Sequence, residues 1–312
     1  MSALPENKSY PGLSRRISAF SRLIFTLLII FFPLPAWGQY PTRPGSPLLD
    51  PGDDASAAPV RASLVAEYSA ITPARKFYLA VKLEIKPDWS IYWKNPGQLA
   101  DKGTTVTLHP PAGFTQGEAL WPGPQRLSSG AVVEYIYRDV VLVIFPLQAP
   151  VSLDGIKEVT FTADCSWLAM NKAKVPGSAK LKLTLPVAGR DETVREAPDR
   201  QLIYQMLEKT PQEAKKADVT LHRTWSDALT LDLRVPGAAY LAFYPDRSPD
   251  WVLKSPADSG AAASDHLRLE ISFLRFGTKS PVTGVLEVHL PGKNSTRVVY
   301  LKVSVPRKKT DL

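Results

Sequence analysis

From Val60 onward the chain alternates apolar and polar residues with a period of two. Phe77, Leu79, Val81, Leu83 and Ile85 alternate with Tyr78, Ala80, Lys82 and Glu84, which predicts a strand with one face in a core. The same rhythm recurs at Val106–Leu108, Val132–Leu147, Val159–Cys165 and Leu181–Val187. It resumes at Leu229–Val235, Leu267–Phe273, Leu286–Leu290 and Val299–Val305. Clusters such as Pro110-Pro111-Ala112-Gly113 and Trp121-Pro122-Gly123-Pro124 punctuate these runs as turns. One stretch departs from the pattern. Leu202, Ile203, Met206 and Leu207 recur at helical spacing between Pro198 and Pro211 and predict a short amphipathic helix. The expected fold is all-β: two immunoglobulin-like antiparallel sandwiches, 60–188 and 217–306, joined by a helical connector over 189–216.

Length agrees with that division, since 312 residues at about 150 per domain give two domains. Before Val60 the character changes. Arg15, Arg16 and Arg22 precede the apolar run Leu23–Phe32, and Ala36-Trp37-Gly38 offers a small-x-small cleavage site. Residues 1–38 read as a signal peptide cleaved near Gly38, which places the product in the periplasm. Spanning a bilayer takes about 20 apolar residues, so no stable membrane span is expected after cleavage. Residues 39–59 read as a disordered lead-in and 307–312 as a basic tail. Much of the net charge of +8 is peripheral: residues 1–38 hold four Lys/Arg against one Glu, and the tail three against one Asp. A body near +3 gives no argument for nucleic acid.

The usual catalytic constellations are absent. There is no Gly-x-Ser-x-Gly elbow, phosphate loop or His-Glu-x-x-His helix. His109, His222, His266 and His289 are scattered, so no metal and no cofactor is expected. Met170 with His109 would be a soft copper pair, but the chain has three Met in all, one of them the initiator. Cys165 is the single cysteine and follows Val159, Phe161 and Ala163 at period two, which points it into the core. Buried, it is an inert small hydrophobe. Exposed beside Lys172 or Lys174, it would be a one-thiol exchanger limited to mixed disulfides. Trp89, Trp93 and Trp121 are either core rings or stacking platforms for a carbohydrate, and an aromatic groove would equally suit a peptide strand.

Several strings resemble a known family. Trp89-Ser-Ile-Tyr-Trp-Lys-Asn-Pro-Gly97 is similar to the Trp-x-x-Tyr-Trp-x-Asn-Pro-Gly signature of the amino-terminal periplasmic region of DsbD/ScsB-type thiol-disulfide interchange proteins. Trp121-Pro-Gly-Pro-Gln-Arg126 resembles that family's Trp-Pro-x-Pro-x-Arg turn, and Tyr135-Ile-Tyr137 followed by Val140–Leu147 its Tyr-x-Tyr hairpin. Asp164-Cys-Ser-Trp-Leu168 with Val175-Pro176 matches the frame around its redox motif, and Tyr240–Pro245 fits its second half more loosely. In the family that frame carries two cysteines. Met170 and Lys174 stand at those positions here. The resemblance does not extend to the family's eight-helix electron-transferring domain or its terminal thioredoxin, so a stand-alone domain is expected.

The resemblance therefore implies the sandwich fold, the periplasm and an association with thiol-disulfide exchange or copper-stress tolerance, without disulfide reductase activity by the chain itself. The implied partner is a periplasmic thioredoxin-fold or membrane electron-transfer protein. The implied binding positions are Trp89, Tyr92, Trp93, Trp121, Tyr135, Tyr137, Trp167, Met170 and Lys174. A reductase accessory using Cys165 and a carbohydrate-binding sandwich are the alternatives.

Overall fold

The computed structural model describes residues 58–98, 100–189, 192–214, 219–225, 229–274 and 280–306. The signal peptide, nearly all of the lead-in and the basic tail lie outside the described residues. Ten strands open the chain: β1 (Val60–Ala66), β2 (Lys76–Ile85), β3 (Ser90–Gly97), β4 (Thr105–His109) and β5 (Thr115–Gln116), then β6 (Gln125–Ser129), β7 (Val132–Tyr137), β8 (Val140–Gln148), β9 (Glu158–Met170) and β10 (Lys174–Pro186). They build a sheet ordered β1-β2-β8-β5 and a second ordered β10-β9-β3-β7-β6, with β4 also paired to β9. Helix α1 (Arg200–Leu207) and β11 (Gln212–Glu213) follow.

The remaining strands are β12 (Thr220–Trp225), β13 (Leu229–Arg234), β14 (Tyr240–Pro245) and β15 (Trp251–Lys254), the short helix α2 (Pro256–Ser259), then β16 (Ala261–Ala262), β17 (His266–Phe273), β18 (Val282–Pro291) and β19 (Thr296–Val305). These give sheets ordered β11-β19-β18-β14-β16 and β12-β13-β17-β15. Pairing is antiparallel throughout except between β11 and β19. The all-β sandwich expected from the period-two runs is the fold the chain adopts. No helix among the described residues is long and apolar enough to cross a membrane.

Three features go beyond simple alternation. First, Tyr135-Ile-Tyr137 and the run after it do not pair as a hairpin. β7 joins the sheet with β3 and β6, whereas β8 crosses to β2 and β5 in the opposite sheet. Asp139, in the left-handed region at φ 61°, makes the reversal. Second, β8 is apolar at nearly every position because both its faces are covered. Val141, Val143 and Phe145 point into the sandwich, while Leu142 and Ile144 lie with Ala80 beneath Ile203 and Met206 of α1. The helix is thus a cover over an outer sheet face. Third, Ala242, Tyr244 and Val285 of the second sandwich belong to the same buried cluster as Trp93 and Tyr135 of the first. The second core, built on Leu231, Leu233, Phe243, Leu269 and Leu286, is separate.

Candidate functional site

β9 and β10 are each 13 residues long and run antiparallel in unbroken register from Glu158↔Pro186 to Met170↔Lys174. Only Asn171, Lys172 and Ala173 separate the last pair. Directly opposed residues in such a ladder have Cα atoms about 4.5–5.5 Å apart. A disulfide needs roughly 4.4–6.8 Å. The hairpin therefore presents positions 170 and 174 where two sulfurs could bond, but fills them with a thioether and an ammonium, neither of which can. Met170 is half-buried and Lys174 exposed, with the Lys174 Nζ 5.5 Å from the centroid of the Tyr92 ring.

Tyr92 belongs to β3, next to the hairpin, and its parity sends it away from the sandwich core. It is nevertheless fully buried. The segment at Gly103-Thr104 crosses β3 closely, with the Thr104 hydroxyl donating to the Tyr92 carbonyl. The Tyr92 hydroxyl donates to Glu134 Oε1 at 2.5 Å. Burial first, and then the bond to Glu134, hold the phenol well above its ordinary pKa.

Cys165 lies on the inner face of β9 and is 4% exposed. Its Sγ contacts the Ala179 carbonyl as a weak donor at 3.6 Å. Burial pushes the thiol up to about 11, the Ala179 contact opposes this, and neighbouring Asp164 raises it further. At neutral pH the group is a shielded thiol, so the one-thiol exchanger loses both its access and its nucleophile. Trp167 shares that inner face, where its indole covers Gly177: a Cβ there would lie 2.4 Å from Nε1.

The other signature residues meet at the joint between the sandwiches. Trp93, Tyr135 and Tyr244 form a triad of edge-to-face rings, with centroids 6.3, 6.4 and 5.3 Å apart. Lys94 Nζ pairs with Asp246 at 2.7 Å, and Asn95 Nδ2 donates to the Pro245 carbonyl at 2.7 Å. Gly97 adopts φ +87°, and a Cβ there would lie 2.4 Å from the Val133 carbonyl oxygen, so the Asn-Pro-Gly turn needs its glycine. In the Trp-Pro-Gly-Pro-x-Arg segment, Gly123 gives way to the Tyr300 ring, and Arg126 donates to the Pro256 carbonyl at 2.6 Å. The Tyr137 hydroxyl holds the same segment through the Pro122 carbonyl at 2.6 Å.

Of the binding positions inferred from sequence, Tyr92, Trp93, Tyr135, Tyr137 and Trp167 are buried, the first outside the sandwich core and the others in the core or the joint. They shape the domain and offer no surface. Trp89 is half-buried against the core, and Trp121 is half-buried at the mouth of a cleft between the sandwiches. Met170, Lys174 and parts of Trp89 and Trp121 remain accessible from that set. Glu134, Arg126, Tyr244 and Tyr300 were not singled out from sequence, although Arg126 and Tyr244 fall inside quoted strings.

The histidines are dispersed over the described sheets. His109 Nε2 contacts Asp164 at 2.8 Å, and His289 Nε2 contacts Glu287 at 2.6 Å. His109 is paired with Thr162, eight residues along β9 from Met170, a distance of about 26 Å at ~3.3 Å per residue. The two cannot share a copper ion. Among the described residues no group of three His, Cys, Asp or Glu is assembled for a metal.

Residues 58–174 match the family model described as Thiol:disulfide interchange protein DsbD, N-terminal. No curated protein matches the chain. Among solved structures, the N-terminal periplasmic domain of ScsB from Proteus mirabilis is 15% identical, covering 80% of this chain and 95% of its own, with a TM-score of 0.50. At that identity the likeness concerns the fold. Spo0M, a sporulation control protein from Bacillus subtilis, aligns over 79% of this chain and 91% of its own at 10% identity, with a TM-score of 0.19.

Proposed function

We propose that this chain, whose residues 58–174 form a DsbD-type N-terminal domain, is a periplasmic protein-binding module of a thiol-disulfide exchange system, without redox turnover of its own. The observation that carries the reading is the intact hairpin, closed by Met170 opposite Lys174, with the lone sulfur nucleophile at Cys165 held inside the sheet. Shape is kept where chemistry is lost. A partner that docks on this hairpin would meet a continuous two-stranded ladder, but no sulfur to attack.

Lys174 changes what such a partner must offer. Its ammonium is exposed above Tyr92, beside half-buried Met170, so the surface is a soft apolar spot with an adjacent positive charge. A thioredoxin-fold or membrane electron-transfer protein with an acidic rim around an apolar active-site patch has the complementary chemistry. Association with copper-stress tolerance rests on the same partners, since no metal-binding group is assembled among the described residues.

The test has two arms. In the first, the purified chain is incubated with an oxidised protein substrate and a reductant, and the expected result is no turnover above the reductant alone. In the second, binding to periplasmic thioredoxin-fold proteins is measured by calorimetry. Lys174→Glu is expected to weaken binding about tenfold. Catalytic turnover abolished by Cys165→Ser would overturn the reading, as would binding indifferent to Lys174.

A further inference from the structure

The two sandwiches and the connector enclose a cleft of about 350 Å³, within the usual range for small-ligand sites, roughly 300–1,000 Å³. Trp93, Leu120, Trp121 and Val285 are its apolar lining. The rim is charged, with two lysines against three carboxylates. Lys94 Nζ lies 2.7 Å from Asp246, and Lys302 Nζ lies 3.3 Å from Glu213 and 3.6 Å from Glu118.

This arrangement selects by chemistry. An anion would meet the surplus carboxylate, and a cation would have to compete with Lys302, which Glu118 and Glu213 already share. A neutral ligand bearing hydroxyls needs no such exchange. Carboxylates engaged with one ammonium retain free lone pairs, and the lysine ammoniums retain N–H donors. The half-buried Trp121 ring supplies an apolar face on which the C–H face of a ring can rest, while polar edges reach the rim. An apolar lining, one partly open indole and a rim of carboxylates and ammoniums already engaged with one another are together the chemistry of a sugar site.

We propose that this cleft binds a neutral saccharide, with Trp121 as the stacking platform and the Glu118–Lys302–Glu213 cluster hydrogen-bonding its hydroxyls. The site is independent of the β9–β10 hairpin and stands or falls apart from the docking reading above. Because Lys302 comes from the second sandwich, Glu213 from β11 and Trp121 from the first sandwich, the site exists only when the parts are joined.

The intact chain is titrated with maltotriose, cellotriose and chitotriose, followed by calorimetry and tryptophan fluorescence, with lysyl-glycine as a cationic probe. The expected result is millimolar or tighter binding of at least one trisaccharide, weakened about tenfold by Trp121→Ala and severalfold by Glu213→Gln. Glu213 is exposed, so its variant tests the rim without disturbing the core. No signal from any trisaccharide in the millimolar range, binding only of the cationic probe, or saccharide binding unchanged in both variants would overturn the proposal.

Discussion

Met170 and Lys174 are register partners in the last rung of the β9–β10 hairpin, opposed across a ladder that continues without a bulge to Pro186. If only the sulfurs are missing from this rung, restoring them should restore a disulfide. The double variant Met170→Cys/Lys174→Cys is expected to lose two titratable thiols under mild oxidation, leaving Cys165 to appear only on unfolding. A five-residue loop closed in this way should add about 2 kcal/mol of stability, read as a higher urea midpoint for the oxidised form. Persistence of both introduced thiols under oxidant would show that the rung is not held in the described register.

The strands were legible because period-two alternation reports one buried face, as in β2, where Leu79, Val81 and Leu83 face the core. The places where alternation breaks carried more information than their spacing alone reveals. Val140–Leu147 is apolar on both parities because α1 lies on its outer face. Tyr240–Tyr244 is apolar on both parities because Tyr244 and Ala242 face the first sandwich while Leu241 and Phe243 face their own. A two-sided apolar strand announces a second cover without saying what covers it. The motif strings raised a different difficulty. Trp93, Tyr135 and Tyr137 share the parity of the core, so their burial follows from the alternation, but Tyr92 does not: its hydroxyl is bound to Glu134 and Lys174 lies over its ring. Those contacts come from β7 and β10, and the periodicity of β3 does not encode them.

Cys165 should behave as a stability group with a defined pH signature. The folded thiol titrates at about 11, above its ordinary value near 9. Between these values the folded chain retains a proton that the unfolded chain has released, so the thiol's contribution is complete below pH ~9 and is lost as the pH rises towards ~11. Buried tyrosines add a slope of the same sign. The discriminating measurement is therefore the difference between the native chain and Cys165→Ala in urea midpoints across pH 8–11, expected to narrow as the pH rises. In parallel, a disulfide reagent should react with the native chain at neutral pH at least about a hundredfold more slowly than in denaturant. Equal reactivity in both states would contradict the buried placement.

Glu67 is 3% exposed and is the anchor on which α1 closes. Its carboxylate accepts from the Tyr78 amide at 3.0 Å and the Tyr204 hydroxyl at 2.8 Å, with Arg200 Nη1 at 3.6 Å. The Arg200 guanidinium also lies over the Tyr68 and Tyr204 rings, at 5.2 and 4.8 Å. α1 has only eight residues, too few to be stable alone, so its order depends on this docking. Arg200→Ala removes the cation while leaving the carboxylate enclosed, and is expected to lower the urea midpoint. Hydrogen exchange should then accelerate across α1 and Ala80–Lys82 before it changes in the second sandwich. Unchanged protection of α1 would remove the anchor role from this pair.

The triad of Trp93, Tyr135 and Tyr244 makes the strongest claim about how the chain folds, because Tyr244 belongs by sequence to the second sandwich and by burial to the core of the first. Its ring fills the space beside Trp93 and Tyr135, and its hydroxyl donates to Glu287, which also holds His289. Two tests separate these roles. Tyr244→Phe keeps the ring and deletes the bond, and should cost about 1–2 kcal/mol. Tyr244→Ala empties the joint and should cost about 3–5 kcal/mol, the scale of a large aromatic lost from a core. If the joint is continuous with the first core, the loss in Tyr244→Ala must appear in amide exchange at Tyr92, Trp93 and Tyr135 as well as in β14 and β18, although no residue of the first sandwich has been altered. Destabilisation confined to the second sandwich would mean that two independent domains merely touch, and would also dissolve the cleft that depends on their union.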